Sequence, residues 1–480
     1  MSEFSELLSL LVQSKNINIS ALTSFCSLDR STMYKLINGK RNPASREQVR
    51  KISEFMNLNP LEAQELMEAY QISHTGWETY YRRKNVREFI INFQEIQEKS
   101  SSSLSSSSPD VQPPLLDPSQ GTAALNGRLQ VGSSIYQILL RASSEKSSAI
   151  YIISQPEHLE ALDIAASLLR SHSSVDIFHI ICINNSQSFI RSQQDYNLQC
   201  LTKLIPFFGT QCNYHSYYYY DNVNSHFNNL NFMPCVFLTP SAGVVCSSDM
   251  KEGILFQSEE MVSLLTNRFH TLLKETAPLI LTFRSTLEFH LKAFQTAMSG
   301  SRDAYGLSAQ PCLMPFMSDT LLEKYASQPL LSRTDLIETL QKYVRTFSDF
   351  LLNNFFTRSG ALRFLKTGRM HEIPEKLYRP IEYPDRIHIF QQCLKKLKEG
   401  KNIRLFQPPL DRFPENLHIF SSGDFGYILF SSSDNDLHYL LLKEQNLLNA
   451  FYDFSSSLEG SDLLCSADET AAFFQELISK

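Results

Sequence analysis

The sequence predicts a multidomain chain: an all-α domain at the N-terminus, then an α/β region whose two halves repeat one another. Three observations carry this. Residues 20–43 read as two short amphipathic segments separated by a capped turn and followed by a basic exit loop. Ser100–Ser108 (SSSSLSSSS), with Asp110, Pro113, Pro114 and Pro118 after it, has almost nothing to bury and marks a flexible boundary. From about Ser147 onward, apolar strand-like runs alternate with helical patterns, and part of that order recurs after residue 418. At 480 residues the chain is too long for one ordinary core, so several domains are expected.

MSEFSELLSLL at the start reads as an amphipathic helix with Phe4, Leu7, Leu8 and Leu11 inward, running to about Lys15. Ser20 can cap a second helix whose Leu22, Phe25 and Cys26 share a face, and Asp29 can cap a third carrying Met33, Leu36 and Ile37. Asn38-Gly39 stops it. The short Ser27-Leu28 connection forces a steep crossing and leaves the third helix projecting, as a helix that reads a DNA groove must. Its outward positions, Arg30, Ser31, Tyr34 and Lys35, can all donate hydrogen bonds to base edges or phosphates. Between Leu28 and Lys51 the basic residues Arg30, Lys35, Lys40, Arg41, Arg46, Arg50 and Lys51 stand against Asp29 and Glu47, a local positive excess in a chain of formal charge -6. That contrast is the footprint of a phosphate-binding face.

The order Leu22, Leu28, Ser31-Thr32-Met33, Leu36, Asn38-Gly39-Lys40-Arg41, Pro43 resembles the Cro/C1-type (XRE-like) helix-turn-helix of bacterial and phage repressors. The resemblance implies a five-helix domain over residues 3–70, within a DNA-binding domain at 1–72. A fourth helix would run from Ser45 to about Met56 and a fifth from Pro60 to about Tyr70. It also implies roles: Arg30, Ser31, Tyr34 and Lys35 facing bases, and Asn38, Lys40 and Arg41 meeting backbone phosphates. Two positions depart from the family. Ser27 stands where the turn usually has Gly and must accept a left-handed backbone. Ile37 stands where Glu is frequent and suggests an apolar contact.

Composition fills in the frame. Apolar content of 42% with 20% charged residues suits a globular protein, and no run of about 18 apolar residues is present, so no membrane span is expected. The acidic N-terminus lacks the basic flank of a signal peptide, which points to the cytoplasm. The nine cysteines are scattered and never form C-x-x-C; they are expected as small buried residues instead of disulfides or a zinc site. Residues 73–99 are expected as one linking helix, with Trp77, Tyr81, Phe89 and Phe93 as its bulky positions and Arg82, Arg83, Lys84 and Arg87 as a basic cluster. A Ser/Pro-rich linker at 100–120 leads to an α/β domain at 121–480.

In that domain Ala149–Ile153, Glu157–Ser171 and Val175–Ile183 read as strand, helix and strand, a parallel βαβ unit. Tyr214–Asp221 reads as a half-buried strand. Residues 236–273 and 418–458 then share a strand, a turn with Gly243 or Gly426, a second strand, an acidic turn with Asp249 or Asp434, a third strand, and a helix carrying Phe269 or Phe451. Ile387–Lys398 and Ile403–Phe406 are read as the echo of Glu157–Ile183. Two halves, about 147–275 and 376–480, are thus expected to face each other, joined by helices that include Leu279–Met298 and Thr334–Asn354.

This two-lobed order resembles the phospholipase D-like fold, whose active members carry His-x-Lys in each half. Here the second copy has His418-Ile419-Phe420 without the Lys, and the first copy has no His. The resemblance implies a binding cleft stripped of its chemistry. No phosphate loop, His-Glu-x-x-His, Gly-x-Ser-x-Gly or kinase pattern occurs, and His172 and His179 read as surface or satisfied core residues. No catalytic residue, cofactor or metal is expected. The expectation is a bacterial-type, sequence-specific transcriptional regulator acting as a homodimer on double-stranded operator DNA, with a C-terminal domain that senses a small-molecule or peptide effector or serves assembly. The alternatives are a phosphodiester- or nucleotide-acting enzyme with a DNA-targeting module, and a protein-interaction scaffold.

Overall fold

The computed structural model describes residues 2–102, 121–145, 148–155, 159–169, 175–185, 193–208, 212–223, 232–283, 303–327, 351–431 and 437–479, with a few single positions between 289 and 345. The chain divides into two compact units, residues 1–84 and 85–480. Together they form a multidomain protein of helices and one large mixed sheet.

In the first unit the chain forms α1 (Glu3–Ser14), α2 (Ile19–Phe25), α3 (Arg30–Ile37), α4 (Arg46–Phe55) and α5 (Pro60–Thr75). Each start follows from a short polar side chain that accepts from an otherwise orphaned N–H. These caps are Ser2, Asn18, Asp29, Ser45 and Asn59, the last in a full capping box with Glu62. The cap of α2 is therefore Asn18, whose Oδ1 accepts from Ser20 and Ala21, and not Ser20. Phe4, Leu8, Leu11, Leu22, Met33, Leu36, Ile37, Val49, Ile52, Leu66 and Tyr70 make one core. Phe25 is the exception among the expected inward residues: it is 46% exposed, its ring set against Phe55.

The expected single helix over 73–99 is instead three pieces. α5 runs on through Thr75, Gly76 breaks it at φ +85°, and α6 (Trp77–Ile91) is followed after Asn92 by α7 (Phe93–Ser102). Val86, Phe89, Ile90 and Phe93 enter the core of the second unit, with the Phe89 ring 5.6 Å from Phe451 and Phe93 5.4 Å from Phe430. The rest of the expected linker, residues 103–120, lies outside the described residues.

The second unit is built on one fourteen-stranded sheet. Its first half comprises β1 (Thr122–Asn126), α8 (Arg128–Ser144), β2 (Ser148–Ile153), α9 (Leu159–Leu169), β3 (Val175–Asn184), α10 (Tyr196–Phe208), β4 (Asn213–Asp221), β5 (Cys235–Leu238), β6 (Gly243–Cys246), β7 (Glu252–Phe256) and α11 (Glu259–Lys274). The second comprises β8 (Ala277–Phe283), β9 (Asp303–Ser308), α12 (Asp319–Tyr325), β10 (Leu351–Phe356), α13 (Arg358–Thr367), α14 (Tyr383–Lys398), β11 (Ile403–Leu405), β12 (Leu417–Ser422), β13 (Gly426–Ser431), β14 (Leu437–Leu442), α15 (Gln445–Ser457) and α16 (Ala467–Ser479). The order across the sheet is β1-β7-β6-β5-β2-β3-β4 and then β8-β14-β13-β12-β9-β10-β11. The second series repeats the first strand for strand, and each pairing keeps its sense: β2-β3-β4 and β9-β10-β11 are parallel, the others antiparallel.

The internal repeat is therefore real, and it extends over more of the chain than the sequence comparison reached. Its geometry differs from the expectation. The halves do not face each other across a cleft; they lie edge to edge, joined by the antiparallel pairing of β4 with β8. Every strand of the second half consequently runs opposite to its counterpart while the order is kept. This is a half-turn about an axis across the strands combined with a step of seven strands, and it exchanges the two faces of the sheet. Packing agrees: Val262 and Phe269 of α11 cluster with Ile180, Leu238 and Phe256, whereas Leu447, Leu448 and Phe451 of the equivalent α15 join Ile150, Ile152 and Ile177 on the other face.

Other corrections follow from the same topology. Ile387–Lys398 and Ile403–Leu405, in α14 and β11, correspond to α10 and β4, one βα unit later than expected. Leu279 belongs to strand β8 and not to a helix; of the remainder of 279–298 only Phe289 is described beyond residue 283, and it is helical. Residues 351–354, expected at the end of a helix, open strand β10. Gly243 and Gly426 each begin the second strand of their hairpin, where a Cβ would fall 2.3 Å from the Phe256 ring or 2.8 Å from Leu448. Asp434 and His172 lie outside the described residues. All nine cysteines are buried and unbridged. No helix among the described residues is long and apolar enough to cross a membrane.

Candidate nucleic-acid interface

The turn between α2 and α3 is closed by the Ser27 N–H donating to the Ser24 carbonyl and the Leu28 N–H to that of Thr23, both 3.1 Å. This six-to-one closure requires a left-handed residue one position past the helix end. Ser27 takes it at φ +54°, as its place in the turn requires. Asp29 then fixes the start of α3: one carboxylate oxygen accepts from the Thr32 N–H at 2.7 Å and the other from the Thr32 hydroxyl at 2.6 Å. These bonds hold the Asp29 carboxyl below the usual carboxylate range.

With Thr32, Met33, Leu36 and Ile37 committed inward, the 3.6-residue period leaves Arg30, Ser31, Tyr34 and Lys35 outward, and all four are exposed. They form a patch of two adjacent pairs one turn apart. The Arg30 guanidinium lies 5.8 Å from the centre of the Tyr34 ring, so the longest side chain of the patch rests on its aromatic neighbour. Ile37 is buried in the core, the apolar contact its identity suggested.

The exit loop folds back on the helix end. Gly39 adopts φ +70°, and the N–H groups of Lys40 and Arg41 both donate to the Lys35 carbonyl, at 2.8 and 3.2 Å. Asn38, Lys40 and Arg41 are exposed, and Arg50 with them, while Arg46 and Lys51 are half-buried. The loop is anchored from behind, because the Asn42 side-chain amide donates to the Ser73 carbonyl at 3.1 Å and His74 Nε2 donates to the Pro43 carbonyl at 2.9 Å. Sequence reasoning missed Asn42 and His74. Each bond spans 31 residues, and no local pattern announces it.

The basic cluster on α6 is less free than its composition suggests. Arg82, Arg83, Lys84 and Arg87 are half-buried, and Lys84 pairs with Glu68 at 2.9 Å. His179, by contrast, is the satisfied core residue expected: its Nε2 donates to the Ser154 carbonyl at 2.9 Å and its Nδ1 accepts from the Tyr214 hydroxyl at 2.7 Å. No protein-family model matches the chain, and no curated protein matches it significantly in sequence.

Proposed function

We propose that this chain is a sequence-specific DNA-binding transcriptional regulator. In this reading α3 enters the major groove, with Arg30, Ser31, Tyr34 and Lys35 at base edges and Asn38, Lys40 and Arg41 on phosphates. The observation that carries the reading is a capped helix whose exposed positions Arg30, Ser31, Tyr34 and Lys35 are all hydrogen-bond donors, continued by an anchored basic loop. The N-terminal helices would form the all-α DNA-binding domain of the Cro/C1 type. The α/β unit would sense an effector or serve assembly, without catalysis. Because one such helix spans only half a turn of groove, specificity calls for two copies on a two-fold operator, hence a homodimer.

The test is a band-shift titration on fragments selected from genomic DNA. The folded Arg30→Ala/Lys35→Ala variant is expected to lose site preference, since each good base contact contributes about 1 to 3 kcal/mol of discrimination. Unchanged affinity and preference would refute the groove-reading assignment.

A further inference from the structure

The second half of the sheet gathers two imidazoles and a carboxylate at one point. β9 ends at Ser308, and the chain leaves it through Ala309 and the buried Gln310. Antiparallel to it, β12 places His418 directly opposite Ser308. The turn that follows α13, residues 370–373, carries His371 and Glu372 to the same spot. One ligand atom from each of His371, Glu372 and His418 lies within 4.8 Å of the others. The spot is the carboxyl end of a strand whose two neighbours run in opposite senses, the position at which open α/β sheets bind ligands.

The turn is built to hold this geometry. Gln310 Nε2 donates to the Arg369 carbonyl at 3.1 Å, the Tyr378 hydroxyl bonds both the N–H and the carbonyl of Met370, and the Tyr439 hydroxyl donates to the Glu372 carbonyl at 3.1 Å. With its amide so oriented, Gln310 turns Oε1 toward His371, 3.0 Å from Nδ1 and 3.1 Å from the backbone N–H. An amide oxygen only accepts, so His371 must carry its proton on Nδ1. Its Nε2 is then a bare lone pair, buried, with no hydrogen-bond partner.

His418 is 1% exposed, its ring stacked on Tyr427 at 5.5 Å. Its Nε2 bonds the Tyr427 hydroxyl at 3.2 Å. Its Nδ1 lies 3.1 Å from Glu372 Oε1, so the imidazole and the carboxylate face each other directly. Glu372 Oε2 accepts from the Cys312 thiol at 3.8 Å, which leaves Oε1 on the side of the imidazoles. Each histidine thus has one nitrogen engaged by an oxygen and the other directed inward, the arrangement by which outer partners orient metal-ligating histidines.

We propose that His371 Nε2, Glu372 Oε1 and His418 Nδ1 bind a borderline divalent transition-metal ion of the zinc, cobalt or iron(II) class. Two imidazoles and one carboxylate suit these ions and not magnesium or calcium, which take oxygen ligands. Bonds of about 2.0 to 2.2 Å would close the wider separations in the group and open the 3.1 Å contact between His418 Nδ1 and Glu372 Oε1 slightly. Three protein ligands leave a coordination position open to water or a small anionic ligand. Among the described residues the first half shows no such group: the residue on β5 equivalent to His418 is Val236, although Gln155 stands, buried, where Gln310 does. The inference does not depend on the DNA-binding reading.

The test uses the full chain, stripped with a chelator and titrated with Zn2+, Co2+, Mg2+ and Ca2+ by calorimetry, with bound metal counted by mass spectrometry. One Zn2+ or Co2+ per chain is expected, with visible d–d absorption for Co2+, a raised melting temperature, and no uptake of Mg2+ or Ca2+. His371→Gln, Glu372→Gln and His418→Asn should each weaken uptake at least tenfold, and Gln310→Leu by about 10- to 100-fold through misorientation of His371. Should His418→Asn fail to fold, His371→Gln, at a partly exposed position, still decides. A wild-type chain that takes up no transition metal, or the same single ion bound equally tightly by His371→Gln and Glu372→Gln, overturns the proposal and leaves a buried His–Glu pair.

Discussion

Ser27 and His179 show how single residues carry stored cost in this protein. Ser27 sits at φ +54° only because the α2–α3 turn demands a left-handed residue, a conformation that costs an L side chain about 1 to 2 kcal/mol. Glycine removes that cost but gains entropy in the unfolded chain. Ser27→Gly is therefore expected to stabilise the protein by about 0.5 to 1 kcal/mol, read by urea unfolding, with no change in DNA affinity. His179 is buried, and burial pulls its pKa down to about 4 from an ordinary value of 6.5. The unfolded chain thus binds this proton more tightly than the folded one. The neutral ring's contribution is complete above about pH 6.5 and is lost as pH falls toward 4. Between pH 7 and pH 5 this one group should cost about 2 kcal/mol of stability, and His179→Gln should remove that share of the acid sensitivity. Equal pH slopes for wild type and variant would show that His179 does not set the loss.

At the scale of elements, close approach decides more than propensity does. α13 begins where Thr357 accepts from the Gly360 N–H at 3.0 Å, and its hydroxyl donates to the Ala309 carbonyl at 3.0 Å. A Cβ on Gly360 would lie 2.0 Å from that same carbonyl oxygen, so the helix or the β9 exit must shift. Gly360→Ala is expected to cost about 2 to 3 kcal/mol in thermal unfolding. By moving the segment that carries Gln310 it should also weaken transition-metal uptake. In the exit loop of α3, Lys40 and Arg41 present charge without a buried contact. Their joint replacement by alanine should weaken specific and random DNA alike and reduce the salt slope by up to about two, measured by titration at several salt concentrations.

What the sequence disclosed at this scale follows the physics of each element. α1 to α5 were legible because an apolar face recurs in each and polar caps precede most of them, though the cap of α2 is Asn18 and not Ser20, and the end of α5 at Thr75 carries no local signal before Gly76. β2, β3 and β4 were legible as β-branched and aromatic runs bounded by polar turns. β8 was read as helix because its apolar stretch, APLILTF, is too short to reveal its period. β9, DAYGLS, has neither alternation nor β-branched residues. The cluster of His371, Glu372 and His418 was invisible for another reason: Glu372 and His418 are 46 positions apart, and it takes both the β9–β12 register and the side-chain bonds that hold the turn after α13 to bring them together.

On the scale of the whole molecule, the largest core joins both halves of the sheet. Ile150, Ile152 and Ile177 from the first half and Ile428, Leu440 and Phe451 from the second belong to one buried cluster. The halves should therefore unfold together. Ile177→Ala and Leu440→Ala, each costing about 2 to 5 kcal/mol, are expected to lower one and the same calorimetric transition. Two separable transitions, each responding to only one variant, would show that the halves are independent.

The rule that generates the second half from the first contains no instruction to stop. A strand equivalent to β8 could pair with β11 just as β8 pairs with β4, and the operation would continue indefinitely, since a step that does not close builds a fibre and not a ring. The protein ends the series with a piece outside the repeat. Leu464 bridges Phe406, the Cys465 N–H donates to the Leu405 carbonyl at 2.8 Å, and the Thr470 hydroxyl accepts from the Leu405 N–H at 3.3 Å, so both outward backbone groups of Leu405 are already engaged. α16 and the turn before it act as a chain terminator written into the protein itself, and the three-residue length of β11 gives any competing strand little to hold.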